Sequence, residues 1–170
     1  MRRMMARGVR IAIIVVSILA LLGVWFLVKG FTSGGLSVPR TVTLYYYNPT
    51  LDRDALGNIM CSNMGLVPVT REVPLSITPV QDAVRLLIKG ELTEEERAGG
   101  ITTEYPLEGF SLKEAALQDG VLTLAFKDPN NRTGGGSCRV GILWHQIEAT
   151  VRQFPEVRSV RFMPEELFQP

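Results

Sequence analysis

One histidine, His145, and two cysteines, Cys61 and Cys138, are the side chains of this 170-residue chain most suited to general-base or nucleophilic chemistry. Glu148 follows His145 by three residues and could orient its ring, while Cys138 precedes it by seven on the same predicted helix. Seven helical residues span about 10 Å, which is too far for a thiolate–imidazole couple. The pair of cysteines with one histidine does not complete a four-ligand metal set. Gly134, Gly135 and Gly136 precede a helix, where backbone N–H groups and the helix dipole favour an anion, but no Lys-Ser or Lys-Thr follows them as a phosphate loop requires. Asn131-Arg132-Thr133 has the spacing of a glycosylation acceptor and marks an exposed loop. Tyr45, Tyr46 and Tyr47 suggest a stacking platform, yet their place in an alternating strand assigns them to packing. The residues therefore predict no catalytic, cofactor-binding or metal site, and a protein that is not an enzyme.

The elements that position these residues follow from periodicity. Val42, Leu44 and Tyr46 alternate with Thr41, Thr43, Tyr45 and Tyr47 in a first strand, and a loop runs from about Asn48 to Gly65. Residues 66–74, LVPVTREVP, form a second strand that Pro68 confines to an edge or a bulge. Thr78, Pro79 and Gln81 read as the capped start of a helix that Gly90 stops, with Val80, Ala83, Val84, Leu87 and Ile88 facing the core. Thr93 and Glu96 repeat the capping-box spacing ahead of a short helical turn. Asp119-Gly120 joins strands 112–118 and 121–126 as a hairpin. Ser137 caps a second long helix that buries Val140, Leu143, Trp144, Ile147, Val151 and Phe154, and residues 157–163 are a last strand. The order β-β-α-β-β-α-β predicts one α+β domain, with both helices on one face of a mostly antiparallel or mixed sheet.

Two side chains gain meaning from this order. Arg71 shares its strand face with Val67, Val69 and Val73, so its guanidinium turns toward the core or its edge and needs an acidic or carbonyl partner. Glu148 and Glu104 are the candidate partners for a buried ion pair. If successive elements alternate in direction, the loop with Cys61 and the helix start with Cys138 share one pole of the domain, which makes them candidates for a disulfide. Two separate thiols are the alternative.

Ahead of the domain, residues 11–28, IAIIVVSILALLGVWFLV, carry no charge and no proline and span about 27 Å as a helix, near the hydrocarbon thickness of a bilayer. Arg2, Arg3, Arg7 and Arg10 precede this run and only Lys29 and Arg40 follow closely, which predicts a single-pass signal-anchor with residues 1–10 cytoplasmic and everything after Lys29 extracytoplasmic. A cleaved signal peptide has the same polarity, but its apolar region is usually shorter and KGFTSGG offers no A-x-A-like cleavage site. Residues 29–40 are a glycine- and serine-rich stalk, and 41–170 the domain. Without the four N-terminal arginines, 14 basic residues stand against 17 acidic ones, the wrong sign for a nucleic-acid binder or a polybasic membrane-surface domain.

The string of elements also resembles a known family, the GerMN domain of sporulation and spore-germination proteins. LVPVTREVP at 66–74 is similar to the family's second strand, AVRLLIKG at 83–90 to its first helix, and YPLEGFSLKEAALQDGVLTLAF at 105–126 to its hairpin. GGGS at 134–137 and EATVRQFPEVRSVRF at 148–162 resemble the second helix and last strand. Glu91 stands where the family pattern would place a proline, and the loop holding Cys61 is long. The resemblance implies a non-enzymatic, extracytoplasmic interaction or scaffold module of the cell envelope, here on the membrane anchor read from residues 11–28, with an envelope protein or a second copy as partner. An accessory domain for cell-wall glycan or peptide is the alternative.

Overall fold

The computed structural model of the protein describes Trp25 and residues 39–169. The chain falls into two units, Met1–Val38 and Pro39–Pro170. The expected transmembrane helix, residues 11–28, lies outside the described residues apart from Trp25, as does the expected stalk, 29–40, as far as residue 38; Arg40, its last residue, is already the first residue of a strand. Among the described residues no helix is long and apolar enough to cross a membrane.

The second unit runs β1 (Arg40–Tyr47), β2 (Leu66–Val73), α1 (Pro79–Lys89), α2 (Glu94–Ala98), β3 (Ser111–Gln118), β4 (Val121–Lys127), α3 (Ser137–Arg152) and β5 (Ser159–Met163). This is the expected α+β order, but the strands form two sheets rather than one: β1 pairs antiparallel with β2, while β3–β4–β5 is a mixed sheet in which β4 and β5 run parallel. The division has a local cause. The edge of β1 away from β2 is occupied by side chains of α3 and its cap: the Gln153 amide donates to the Thr43 carbonyl (2.7 Å) and accepts from the Thr43 N–H (2.9 Å). Thr150 Oγ1 accepts from the Tyr45 N–H at 3.0 Å. Beyond them Tyr47 and Thr102 exchange backbone hydrogen bonds. Helix side chains thus satisfy backbone groups that a neighbouring strand would otherwise pair.

Period-two and helical stripes converge on one core. Val42, Leu44 and Tyr46 of β1, Ala83, Val84 and Leu87 of α1, Leu122, Leu124 and Phe126 of β4 and Val140, Leu143, Ile147 and Val151 of α3 are all buried in it. Phe110 stacks on Phe126 with centroids 4.7 Å apart, and Trp144 tilts against Phe162 at 4.6 Å. Leu167 and Phe168, beyond the last strand, close the same cluster.

Local signals set the boundaries with two exceptions. The Thr93–Glu96 capping box is present in both directions. The Thr78 hydroxyl, by contrast, makes no capping hydrogen bond, and Gln81 donates to the Ala115 carbonyl of β3 instead. At α3 the cap position is Gly136, with Ser137 already inside the helix. Gly90 is left-handed (φ 66°), and a Cβ there would stand 1.8 Å from the Tyr105 carbonyl oxygen, so the residue must be glycine for the chain to pass. Asp119 and Gly120 both have positive φ, 49° and 77°, as the two-residue hairpin requires.

Candidate functional site

The loop between β1 and β2 is the most elaborately fastened part of the surface. At its base Asp52 is 3% exposed. Its Oδ2 accepts from the Tyr47 hydroxyl and from the Ser62 N–H, both at 2.6 Å, and its Oδ1 accepts from the Ser62 hydroxyl at 2.6 Å. Burial alone would raise the Asp52 carboxyl, but the hydrogen bonds from Ser62 and Tyr47 outweigh it and hold the group below the usual carboxylate range. The same burial and the carboxylate beside it push the Tyr47 phenol up to about 12. Gly65 lies flat under this pair: a Cβ there would come within 2.4 Å of the Tyr47 ring.

Above the base the chain folds on itself. Asp54 Oδ1 accepts from the N–H groups of Leu56 and Asn58, and Arg53 and Ile59 pair as an isolated bridge. Cys61, with φ 54°, then reaches the first turn of α3, where its disulfide to Cys138 closes across a Cα–Cα distance of 5.1 Å. What this frame displays is apolar: Leu51, Leu56, Ile59, Met60 and Met64 are all exposed. Five large apolar side chains on one pinned loop exceed the scattered singles of an ordinary surface.

The residues singled out from sequence are placed as follows. Cys138 has no free thiol, and His145 lies half-buried on α3 beside a shallow groove of about 250 Å³ lined by Asn63, Leu66, Glu148, Ala149 and Arg152. Glu148 accepts from Trp144 Nε1 at 3.0 Å and pairs with Arg152 at 2.9 Å. It is therefore not the partner of Arg71. Arg71 forks onto Glu96 with two 2.7 Å bonds and donates also to the Glu91 carbonyl, whereas Glu104 pairs with Arg139. The expected pairing of Arg71 with Glu148 or Glu104 is corrected by topology: the segment from Glu91 to Glu96, which leads from α1 into α2, lies against Arg71, while Glu148 and Glu104 are engaged elsewhere. The hydrogen bonds from Arg71 lead the effects that hold the Glu96 carboxyl below its ordinary range. Tyr46 and Tyr47 are buried, in keeping with packing.

The glycine run turns carbonyls, not N–H groups, toward its neighbour: the Arg139 guanidinium donates to the carbonyls of Arg132 and Gly134. Thr133 is fully buried and tied through its hydroxyl to Asp128 at 2.8 Å. Among the described residues no group of three His, Cys, Asp or Glu side chains could hold a metal ion. Asp52 was not visible to sequence reasoning, since nothing in the spacing of an aspartate within a polar loop reports burial. A groove of about 450 Å³ between the end of β2 and α1, lined by Val73, Pro74, Asp82, Arg85, Leu86 and Lys89, was likewise unforeseen.

Over residues 43–166 the sequence matches a family described as Germane, sporulation and spore germination. No curated protein matches it. Among solved structures, the first GerMN domain of the sporulation protein GerM from Bacillus subtilis is similar with a TM-score of 0.50 and 17% identity, covering 75% of this chain and 86% of that one. The tandem GerMN domains of the same protein give a TM-score of 0.49 and 20% identity over 78% of this chain, which spans only 42% of the tandem chain. At such identities the likeness concerns the fold.

Proposed function

From the premise that this chain belongs to the Germane family of sporulation and spore germination, we propose that it is a membrane-anchored, extracytoplasmic interaction module of the cell envelope. It works by binding, not by catalysis. The observation that carries this reading is the β1–β2 loop, a frame fastened by Asp52 and the Cys61–Cys138 disulfide that holds Leu51, Leu56, Ile59, Met60 and Met64 in solvent. An apolar set on a rigid support loses little conformational entropy when a partner covers it. The apolar run 11–28 and its arginine bias support the anchor and the outward orientation.

The test has two parts. Protease added to intact protoplasts should digest the domain, and its survival there would reverse the orientation. A Leu56→Asp, Met60→Asp double variant should keep the thermal midpoint of the parent chain and lose co-purification with its envelope partner. Undiminished co-purification would remove the loop from the binding surface.

A second reading, a site for cell-wall peptide or glycan, draws on the 450 Å³ groove with Arg85 and Lys89 at its rim. Trp144, the natural stacking surface for a sugar, is occupied by Phe162 and Glu148. An anionic cell-wall peptide retained by the parent chain and not by Arg85→Ala, Lys89→Ala would establish this reading.

A further inference from the structure

Among the described residues, the three-stranded sheet has one face without a covering layer. Leu122, Leu124 and Phe126 of β4 and Phe162 of β5 are buried in the core with α1 and α3, so the intervening residues point to the opposite side. Three register rows lie there: Glu114–Ala125–Met163, Ala116–Thr123–Arg161 and Gln118–Val121–Ser159, running across β3, β4 and β5. Glu114, Ala116, Met163 and Arg161 are exposed and Thr123 and Ala125 half-buried. The centre of the face is thus built from small side chains, with an acid on one edge strand and a base on the other. Neither Glu114 nor Arg161 has an ion-pair or hydrogen-bond partner among the described residues.

We propose that this face binds the same face of a second copy of the chain, with the two-fold axis lying along β4. Rotation about that axis stacks β3 on the partner's β5 and β5 on the partner's β3, in the aligned manner of packed sheets. Glu114 then lies opposite Met163 of the partner subunit and two residues along the strand, about 7 Å, from the partner's Arg161. That offset is within the combined reach of a glutamate and an arginine, and symmetry forms the contact twice. Thr123 and Ala125 meet their own copies on the axis, where small side chains let the sheets approach. An axis across the strands instead stacks β5 on β5 and brings like charges together, so the charges select the first arrangement. Lys127, at the end of β4, would meet its own copy and so belongs to the solvated rim.

Three strands of about five residues cover roughly 14 by 17 Å, about 240 Å² per copy and well below what a dimer stable in dilute solution buries, so the contact forms only where copies are concentrated. The proposed anchor raises the local concentration of copies and would populate it. The inference names a partner for the interaction module proposed above and rests on that reading.

The experiment is cysteine crosslinking of the full-length chain in isolated cell membranes, with Thr123→Cys as reporter, a short bismaleimide as reagent and Glu72→Cys on the other sheet as control. A discrete dimer from Thr123→Cys and none from Glu72→Cys is expected. Adding Glu114→Arg or Arg161→Glu alone should lower the dimer yield at least fivefold, and combining the two should restore more than half of it. No dimer above the control, a dimer indifferent to the single charge changes, or a double variant that stays low would each overturn the proposal. Loss of the dimer while a photocrosslinker at Met60 still captures a partner would overturn self-association and leave the interaction module standing.

Discussion

The two sheets of the domain treat their exposed surfaces in opposite ways. The β1–β2 sheet is closed at its edges, though Pro68, Thr70 and Glu72 leave its outer face in solvent: Gln153 and Thr150 occupy one edge, Pro68 interrupts the other, and Arg71 of β2 forks onto Glu96. The β3–β4–β5 sheet leaves a whole face open, with small residues at its centre and unpaired charges at its sides. The difference separates stability from association. Strand residues of the β1–β2 sheet hold the fold together, while the apolar residues of its loop and the open face of the other sheet are free for contacts.

The sharpest way to break this comparison is to release the loop that is pinned on the closed side. The disulfide joins residues 77 apart, and its loss in a Cys61→Ser, Cys138→Ser variant should cost roughly 4 kcal/mol through the unfolded chain's regained freedom. Thermal unfolding with and without reductant measures it, and an unchanged midpoint would mean the bridge constrains little. Next in size is Asp52→Ala, which strands the Tyr47 hydroxyl and the Ser62 N–H and should cost about 3 kcal/mol by denaturant titration. Gln153→Ala should cost about 1–2 kcal/mol, because Thr43 loses both a donor and an acceptor. For Arg71 and Glu96, whose side chains are 22% and 18% exposed, a double-mutant cycle should return a coupling of about 1 kcal/mol. Substitutions on the open side, such as Ala116→Ser, should stay within about 0.5 kcal/mol. Costs of similar size on both sides would dissolve the distinction.

Acidity sharpens the same contrast. The Asp52 and Glu96 carboxyls sit below their ordinary values of 3.8 and 4.5 in the folded protein, so their contribution is present above those values and is lost as pH falls through the folded ones. Tyr47 is displaced the other way, from 10.0 to about 12, so its contribution is present below pH 10 and fades between 10 and 12. The midpoint should be level through neutrality and fall at both ends, and Asp52→Asn should reduce both slopes.

How much of this was legible in the sequence depended on whether the cause was local. Gly90, Asp119-Gly120 and the Thr93–Glu96 box act over a few residues, and each sits where its pattern placed it. Thr78 had the right spacing, but Gln81 found a better acceptor at Ala115, 34 residues away. The alternation of β2 shows that Arg71 needs a partner but not which carboxylate supplies it, because the approach of Glu96 to Arg71 is a tertiary fact. The split of one sheet into two was hidden for the same reason, since nothing in a glutamine at a helix end announces that it will stand in for a strand. The apolar loop residues were readable as apolar but not as exposed, which only the Asp52 frame decides.

The central claim, that the pinned loop presents a binding surface on the outer side of the membrane, is tested most directly by a photoreactive amino acid at position 60 of the full-length chain in living cells. Illumination should give a discrete adduct from Met60 and none from a matched probe at Glu72 on the closed sheet, and the adduct should form on a partner outside the cytoplasm. A bare chain at position 60, or adducts only with cytoplasmic proteins, would contradict it.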